Sequence, residues 1–342
     1  MKVLIVKLSA LGDIIHSLPV AMAIRRQVPE ARIDWIVEAP SYDLLHGHKA
    51  LNRVLLSPRH ALSAASGRKN FSLLANFIRE LGSVRYDAVL DLQGLMKSSL
   101  FVLLSRARIK TGFRGGKEPL SVLPLNLPLP AYDIERHALE RYLDLLQPVG
   151  LRKPEQIEYG LETDMTLQAR WRQRLQGPGP LLIMHPMAKW KSKLWPEESW
   201  AWLAARLLRK GVRVAFSGTK EDKAVNARII ARIGWEQEGS GLFNLSGLTD
   251  LQDLMAVLSL TDLIISTDTG VMHLAAAMDV PLLALFGPTA PNRTGPYGQL
   301  EHVIINRVEC RPCFRRSCSY AKCMGELKPE TVLRACWERL SL

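Results

Sequence analysis

The first half of the chain alternates short, continuously apolar runs with longer segments of helical periodicity. Apolar runs of this length are typical of strands buried on both faces of a parallel sheet. We predict strands at residues 2–6, 32–37, 52–56, 86–92 and 108–112. The helical segments are expected at residues 14–27, 71–81, 97–105 and 135–146. Strands and helices that alternate in this way indicate an α/β domain with a doubly wound parallel sheet.

The pattern loosens between residues 151 and 180 and then starts again. The loosened stretch ends in Gly177-Pro178-Gly179-Pro180, which suits a hinge. Beyond it we predict strands at 181–184, 212–216, 242–245 and 281–286, and a strand followed by a helix within 261–277. Further helices are expected at 196–208, with Pro196 as the first helical residue, and at 221–233, 251–258 and 329–340.

Two Rossmann-like domains that face a central cleft are therefore the predicted architecture. Residues 1–165 form the first domain, residues 166–180 the hinge or linker, and residues 181–328 the second domain. Residues 329–342 are expected to form a C-terminal helix. A chain of 342 residues is long enough for two cores of ordinary size.

The composition is that of a globular protein with a marked positive charge. Hydrophobic residues make up 47% of the chain. The sequence contains no run of about 18 apolar residues, the length that a membrane-spanning helix needs. The apolar run after Lys2 is too short for a signal peptide, so we expect a cytosolic protein. The net charge of +12 indicates an anionic partner: a nucleic acid, a phosphorylated small molecule or an acidic membrane surface.

Basic residues concentrate between residues 97 and 117. Six occur there without an acidic residue, namely Lys97, Arg106, Arg108, Lys110, Arg114 and Lys117. Residues 100–104 are apolar, and basic residues beside exposed apolar ones would suit a membrane interface. We expect residues 100–104 to be buried and some of the charges to be functional.

Four of the five cysteines are clustered near the C-terminus, at Cys310, Cys313, Cys318 and Cys323. In a reducing cytosol such a cluster favours a metal site over a disulfide. The spacing differs from the paired C-x2-C motifs of a zinc ribbon. Reduced or redox-labile thiols are therefore the favoured interpretation, and a structural metal site is the alternative.

Residues 261–277 contain a polar turn between a strand and a helix of small residues. At the carboxyl end of a parallel strand this turn lies where α/β sheets bind ligands. Thr269 and Gly270 would begin the helix, whose free N–H groups favour an anion, and Asp268 and His273 could reach the same ligand. A capped helix with His273 in the core is the other interpretation.

A second loop at the same kind of position, residues 184–196, carries Lys189, Lys191 and Lys193. A lysine there could hold a diphosphate together with a helix N-terminus. The other interpretation is a solvated basic loop.

Asp13 follows Gly12 and begins the first helix. It is either an N-cap or a general base that projects from the first domain. His16, one turn further on, could line the same site or fill the core. On the residues alone both interpretations remain open.

Several familiar cofactor and catalytic motifs are missing. The chain has no G-x-G-x-x-G for a dinucleotide, no G-x-x-x-x-G-K-[ST] P-loop and no G-x-S-x-G. It also lacks any D-x-D, the usual carboxylate pair that holds a divalent metal on a nucleotide-sugar. The sequence thus predicts no cofactor.

Motifs along the whole chain resemble those of the family 9 glycosyltransferases, the lipopolysaccharide heptosyltransferases, and most closely the type I enzymes. In the first domain they are Val3-Leu4-Ile5-Val6-Lys7-x-Ser9-x-x-Gly12-Asp13-x-x-His16, Asp34-Trp35-x-Val37-Glu38, Asp91-x-Gln93-Gly94-Leu95-x-Lys97-Ser98, Glu118-Pro119-Leu120 and His137-Ala138-x-Glu140-Arg141. In the second domain they are Lys193-x-Trp195-Pro196-Glu197-Glu198, Asp268-Thr269-Gly270-x-x-His273-Leu274 and Gly287-Pro288-Thr289.

The resemblance implies a GT-B fold and transfer of L-glycero-D-manno-heptose from ADP-heptose to Kdo of the lipopolysaccharide inner core, with inversion. It implies that Asp13 is the catalytic base and that no metal takes part. The donor-binding residues implied by the resemblance are Lys193, Asp268, Thr269, Gly270, His273, Met187 and Ala188, and the acceptor-binding residues are Lys7, Lys117 and His137. It also implies Kdo-lipid A as acceptor and peripheral contact with the anionic cytoplasmic face of the inner membrane.

Lys117 departs from the pattern, because relatives of the type I enzyme have arginine before Glu-Pro, and the cysteine-rich stretch looks more like that of other family members. A type II heptosyltransferase or another family 9 transferase is therefore one alternative. From a different class, a basic nucleic-acid-binding protein with a cysteine metal site would also explain the charge. We expect no nucleic-acid binding, because the basic residues are dispersed and lack interleaved aromatic residues.

Overall fold

The computed structural model describes residues 1–58, 68–235 and 241–340, with the backbone alone for residues 68–71. The chain divides into two compact units, Met1–Glu162 and Thr163–Leu342. Each unit is built around one parallel sheet with its own hydrophobic core.

The first unit alternates strands and helices from its first residues. Its strands are β1 (Lys2–Val6), β2 (Arg32–Val37), β3 (Arg53–Leu56), β4 (Arg85–Asp91) and β5 (Arg106–Thr111). Its helices are α1 (Leu11–Gln27), α2 (Tyr42–Leu45), α3 (Arg68–Gly82), α4 (Met96–Leu104) and α5 (Ala138–Leu143). Three 3-10 helices, Ala39–Ser41, Pro119–Val122 and Asp144–Val149, complete the described elements of this unit.

The sheet of the first unit has the strand order β3-β2-β1-β4-β5, and all its pairings are parallel. Residues 3–6 of β1 are completely buried because β2 and β4 flank the strand and helices cover its faces. The strand order reverses between β1 and β4. In a sheet of this kind, the carboxyl ends of the strands beside such a reversal are the usual place for a ligand.

The second unit repeats the same plan. Its strands are β6 (Leu181–His185), β7 (Arg213–Phe216), β8 (Leu242–Asn244), β9 (Leu263–Thr267), β10 (Leu282–Phe286) and β11 (Val303–Ile305). Its helices are α6 (Met165–Arg174), α7 (Glu197–Arg209), α8 (Lys223–Ile233), α9 (Leu251–Leu258), α10 (Gly270–Ala277), α11 (Pro291–Thr294), α12 (Lys322–Gly325) and α13 (Pro329–Leu340).

The second sheet has the order β11-β10-β9-β6-β7-β8, again with parallel pairings. Its reversal lies between β6 and β9, and this is the strand order of a dinucleotide-binding Rossmann sheet. The core on one face joins Trp200 and Leu207 of α7 to Val332, Leu333 and Cys336 of α13. The predicted C-terminal helix therefore belongs to the second unit; its last two positions, 341 and 342, lie outside the described residues.

The segment predicted as a hinge is partly helical. Helix α6 occupies most of residues 166–180, and the indole of Trp171 donates to Asp253 Oδ1 of α9 at 2.9 Å. Trp171 is the one buried residue of α6, so the helix carries little apolar periodicity in its sequence. The units divide after Glu162. Hinge motion across residues 165–180 stays a prediction.

Three local predictions are wrong in detail. Helix α7 begins at Glu197 with Pro196 as its N-cap, so Pro196 is not the first helical residue. The helix expected at 135–146 is shorter, because α5 passes into a 3-10 helix that contains Pro148. In α4, Phe101 and Val102 are buried, but Leu100 and Leu103 are 51% and 63% exposed. The expectation that residues 100–104 are buried therefore fails for two leucines.

No helix in the described part of the chain is both long and apolar enough to cross a lipid bilayer.

Candidate active site

Polar groups of the first unit gather where β1 and β4 end. Asp91 is the last residue of β4, and its Oδ1 accepts hydrogen bonds from the backbone N–H groups of Gln93 and Gly94, both at 3.0 Å. The amide oxygen of Gln93 accepts from the backbone N–H groups of Leu8 and Ser9 at 3.0 and 3.2 Å. These bonds fix the loop after β1 against the loop after β4 at the reversal of strand order.

Asp13 lies in the first turn of α1, directly beyond this loop. Its Oδ2 accepts from the backbone N–H of Ala10 at 3.3 Å, as expected for an acidic residue near a helix start. The side chain is nevertheless 40% exposed, so the carboxylate is accessible to a substrate. The N-cap of α1 is Ala10, so the interpretation of Asp13 as the N-cap is wrong. Its role as a general base stays a prediction.

Tyr142, from α5, contacts the other oxygen of the Asp13 carboxylate. Its hydroxyl donates to Asp13 Oδ1 at 3.3 Å. Burial, and next the negative charge of Asp13, raise the pKa of Tyr142 well above its ordinary value. The phenol therefore stays protonated and remains a hydrogen-bond donor to Asp13.

Lys7 is enclosed beneath this pair and is only 2% exposed. Its Nζ donates to the Tyr142 hydroxyl at 2.8 Å and to the Leu92 carbonyl at 3.0 Å, and lies 4.0 Å from Asp13 Oδ2. Burial lowers the pKa of Lys7, while the carboxylates of Asp13 and Asp91 act in the opposite direction. These contacts hold Tyr142 and Asp13 in place, and the acceptor-binding role expected for Lys7 stays a prediction.

The two other residues assigned to the acceptor side lie in different surroundings. His137 is buried at the start of α5, where its Nδ1 accepts from the backbone N–H of Leu139 at 3.2 Å and its ring packs edge-on against His16 with centroids 4.8 Å apart. Lys117 is exposed in the loop before Pro119. Among the contacts of the described residues, none joins Lys117 to Asp13.

In the second unit the corresponding reversal of strand order brings the loops after β6 and β9 together. The hydroxyl of Thr267, the last residue of β9, donates to the Met187 carbonyl at 2.9 Å. Ala188 follows Met187 in the same half-buried loop. At the end of β6, burial lowers the pKa of His185 to about 4, so its ring is neutral and Nδ1 lies 3.0 Å from the Ser217 hydroxyl.

Lys193 and Asp268 form the central ion pair of this second site. Lys193 Nζ lies 2.7 Å from Asp268 Oδ2 and donates to the Asp268 carbonyl at 3.2 Å. The hydroxyl of Thr289, after β10, donates to the same carboxylate oxygen at 2.6 Å. The Trp190 ring lies 4.7 Å from the ammonium. Three loops from the carboxyl edge of the sheet thus meet at one buried carboxylate.

Helix α10 begins immediately beside this carboxylate. Thr269 is its N-cap, with its hydroxyl accepting from the Val271 N–H at 3.3 Å, and Gly270 is its first residue. His273 is buried on the same helix, one turn further on. The structure therefore brings together Lys193, Asp268, Thr269 and Gly270, and their role in donor binding stays a prediction.

The cysteine-rich stretch packs against this site. The N–H groups of Cys313 and Phe314 both donate to the Pro288 carbonyl at 3.0 Å, and the Ser192 hydroxyl donates to the Arg315 carbonyl at 2.6 Å. All five cysteines are free thiols. Among residues 1–58, 68–235 and 241–340, no three His, Cys, Asp or Glu side chains are close enough to hold a metal ion. The alternative metal site at the four clustered cysteines is not formed in this structure.

Comparison with known proteins assigns these two sites to a class. The sequence model of glycosyltransferase family 9 (heptosyltransferase) matches residues 74–324. Lipopolysaccharide heptosyltransferase 1 of Pseudomonas aeruginosa is 33% identical over 365 aligned positions, which cover 100% of this chain and 95% of that protein. The chain belongs to glycosyltransferase family 9 and is a heptosyltransferase.

Solved structures support the same class. The E. coli heptosyltransferase WaaC with ADP superposes with a TM-score of 0.80 at 26% identity, covering 99% of this chain and 100% of that chain. The same enzyme with ADP-2-deoxy-2-fluoro heptose gives a TM-score of 0.78 at 26% identity, covering 99% of each chain. The predicted GT-B class with two Rossmann-like domains is confirmed.

Sequence reasoning missed Tyr142 and the role of Thr289. Tyr142 lies 135 positions from Lys7 along the chain, and no spacing rule links a tyrosine in one helix to a lysine after a distant strand. Thr289 was noticed only as part of Gly287-Pro288-Thr289. Its position directly after an apolar strand was the available signal, because that is where polar residues approach a ligand.

Proposed function

We propose that this protein transfers L-glycero-D-manno-heptose from ADP-heptose to a Kdo residue of the lipopolysaccharide inner core, with inversion at the anomeric carbon and without a metal ion. The names of its relatives support the heptose donor and the lipopolysaccharide acceptor. Because that acceptor is carried on lipid A, we place the protein at the cytoplasmic face of the inner membrane.

The observation that carries the proposal is the exposed carboxylate of Asp13. A general base must reach the proton that it removes, and the Asp13 side chain is 40% exposed whereas Lys7 is buried. Tyr142 holds one carboxylate oxygen, and the cation of Lys7 balances the negative charge. This arrangement orients a carboxylate while leaving it open to an acceptor hydroxyl.

In the proposed step Asp13 takes the proton of the acceptor hydroxyl while the hydroxyl oxygen forms a bond to C1 of heptose. The bond from C1 to the phosphate oxygen breaks, and its electron pair leaves with ADP from the opposite face. Attack from one face and departure from the other invert the anomeric centre. His137 and Lys117 are proposed to act on the acceptor side.

Lys193 and the start of α10 are proposed to stabilise the departing diphosphate. An ammonium has three protons to donate. The Lys193 ammonium uses two of them, one for the carboxylate and one for the backbone carbonyl of Asp268. The third is available for a phosphate oxygen, and the N–H groups at the start of α10 add a positive end of a helix dipole. Met187, Ala188 and His273 complete the proposed donor site.

The test of the base is turnover of purified protein with ADP-heptose and Kdo-lipid A. Asp13→Asn should lower kcat by about 10²- to 10⁴-fold, because that is the usual contribution of a general base. Its affinity for ADP should be unchanged. The matched control is Asp43→Asn, which removes an exposed first-turn carboxylate from another helix of the same unit. Turnover by Asp13→Asn equal to that of the control would remove Asp13 as the base.

The test of the donor site is ADP affinity measured by calorimetry. Lys193→Ala should weaken ADP binding by about tenfold or more, because a charged hydrogen-bond donor to phosphate is lost. Lys191→Ala, which removes an exposed lysine two residues away, is the control. Equal affinities of the two variants would place the diphosphate elsewhere. Transfer should persist in EDTA, and abolition by the chelator would show that a metal takes part.

The acceptor is tested with the same preparation. Kdo-lipid A and already heptosylated core are offered separately with ADP-heptose. Faster transfer to Kdo-lipid A supports the proposal, whereas transfer only to the heptosylated core would assign a type II reaction.

A further inference from the structure

Helix α4 presents an apolar face to solvent. Met96, Leu100 and Leu103 are all exposed, and their spacing places them along one side of the helix. Phe101 and Val102, on the opposite side, are buried in the core of the first unit. The helix therefore has two apolar faces, of which the described part of the chain covers one.

A second exposed apolar segment lies next to α4. It comprises Leu120 and Leu123, which is 74% exposed, and ends at Leu127. The Ser99 hydroxyl of α4 donates to the Ser121 carbonyl at 2.7 Å, which fixes this segment to the helix. The two exposed apolar segments are therefore neighbours in the fold, and exposed apolar side chains that lie together usually mark an interaction site.

Basic residues lie between the two exposed apolar segments in the chain. Strand β5, at the edge of the sheet, contributes Arg106, Arg108 and Lys110, and the Lys110 ammonium donates to the Leu103 carbonyl at 3.2 Å. Lys110 also pairs with the second segment, since its carbonyl accepts from the Leu127 N–H at 3.1 Å. Arg114 and Lys117 follow in the next loop.

Between residues 97 and 127 the sequence contains one acidic residue, Glu118. Its carboxylate accepts from the backbone N–H of Met96 at 2.5 Å. The surface therefore carries five basic residues (Arg106, Arg108, Lys110, Arg114 and Lys117) around exposed leucines, with little opposing charge. We call these five residues together with Met96, Leu100, Leu103, Leu120, Leu123 and Leu127 the leucine–arginine face.

We propose that the leucine–arginine face docks on an anionic lipid bilayer, with its leucines in the interface and its basic residues among the headgroups. Exposed apolar side chains beside basic ones match a surface that is apolar inside and negatively charged at its boundary. The proposal deepens the proposed function, because it names the surface that would bring the enzyme to a lipid-anchored acceptor. Membrane binding itself requires no substrate and no turnover.

Other occupants fit the face less well. A second copy that paired through the same face would bring five positive charges against five, which is unfavourable for a symmetric dimer. A nucleic acid would use exposed aromatic residues to stack its bases, but Phe101 is buried and the Phe113 ring packs edge-on against Tyr132 with centroids 5.1 Å apart.

The test is sedimentation of the full chain with vesicles of phosphatidylcholine, with and without phosphatidylglycerol. Each basic residue near an anionic surface contributes about fivefold to the partition coefficient. The double variant Arg106→Ser/Arg108→Ser should therefore bind phosphatidylglycerol vesicles about 25-fold more weakly. The control Arg209→Ser/Lys210→Ser removes the same charge from the exposed end of α7 and should change binding much less.

The apolar part is tested by Leu100→Ser/Leu103→Ser/Leu123→Ser. Insertion of a half-exposed leucine is worth about fivefold, so the triple variant should lose on the order of a hundredfold in partition. The control Met165→Ser/Leu248→Ser/Leu300→Ser removes exposed apolar side chains from the second unit. The circular dichroism spectrum, which reports folding, should be unchanged in both face variants and both controls. Their affinity for ADP, which is proposed to bind to the second unit, should also be unchanged.

Equal losses in the face variants and their controls would overturn the proposal, and so would equal binding to vesicles with and without phosphatidylglycerol. Concentration-dependent dimerisation that the leucine variant abolishes, without vesicle binding by the wild type, would assign the face to a second copy instead. A protein that binds vesicles through this face but transfers no heptose would refute the proposed function and leave the membrane surface standing.

Discussion

The buried carboxyl of Asp91 should make the stability of the protein depend on pH in a way that Asp91→Asn removes. Burial raises the pKa of Asp91 from its ordinary value of 3.8 to about 6, although hydrogen bonds from Gly94, Ser98 and Gln93 and the charge of Lys7 oppose the shift. The carboxyl is therefore protonated in the folded protein at a pH where the unfolded chain has already lost the proton.

The partners of Asp91 can also accommodate a protonated carboxyl group. The Ser98 hydroxyl has one proton to donate. Ser98 Oγ lies 2.7 Å from the Leu95 carbonyl oxygen and 3.1 Å from Asp91 Oδ2. When Asp91 carries a proton on Oδ2, it donates to Ser98, and Ser98 donates to Leu95. Asparagine reproduces this arrangement, because its carbonyl accepts from Gln93 and Gly94 while its NH₂ donates to Ser98.

The magnitude and sign follow from the two pKa values. The shift of about two units corresponds to about 3 kcal/mol in the free energy of unfolding. Because the pKa of the folded state is the higher one, this stabilisation is fully present below pH 3.8 and is lost as the pH rises to about 6. The stability of Asp91→Asn minus that of the wild type should therefore increase by about 3 kcal/mol across this interval.

Urea unfolding of both proteins at a series of pH values from acid to neutral measures this difference directly. Subtraction cancels the other titrating groups, which the two proteins share. Asp87→Asn is the control, because Asp87 lies in the same strand with its side chain at the surface. A stability difference that stays flat as the pH passes from below 3.8 to above 6 would refute the reasoning.

Two further predictions concern single side chains. Tyr142→Phe removes the hydrogen bond to Asp13 and an acceptor of the buried Lys7. We expect kcat to fall about tenfold and the free energy of unfolding to fall by about 1–3 kcal/mol, with the KM for the donor unchanged. A wild-type kcat would show that Tyr142 does not position Asp13. Backbone hydrogen bonds from Ala321 and Tyr320 lower the pKa of the exposed Cys318, whereas burial raises that of Cys336 to about 12. Maleimide labelling followed by peptide mapping should therefore modify Cys318 rapidly and Cys336 only after unfolding, and early modification of Cys336 would contradict this assignment.

The central strands of both sheets could be predicted from the sequence because they are buried, whereas the short, partly exposed edge strand β11 was not predicted. Every residue of β6, β9 and β10 is buried, so each strand begins with at least three consecutive apolar residues, a pattern that helical periodicity does not explain. Helix α6 shows the opposite case. It is stabilised by Trp171 and by its cap Asp164, and neither produces an amphipathic pattern.

The candidate sites were predictable where the residues follow strands. Asp268 and Thr269 come directly after an apolar run, and the ends of parallel strands converge at one edge of a sheet. The burial of Lys7 was not predictable, because it depends on Tyr142 and on the carbonyl of Leu92, which reach it only through the tertiary fold. The exposure of Leu100 had the same cause, since no element of the described chain covers that side of α4.

The Lys193–Asp268 pair means that the proposed donor site carries its own counter-ion. Under the proposed donor role, an arriving diphosphate must share the ammonium with Asp268, so part of its attraction is offset by the carboxylate already in place. The same carboxylate recovers the full interaction when ADP departs. Such a site favours exchange of nucleotide over tight retention, which suits an enzyme whose turnover depends on releasing its product.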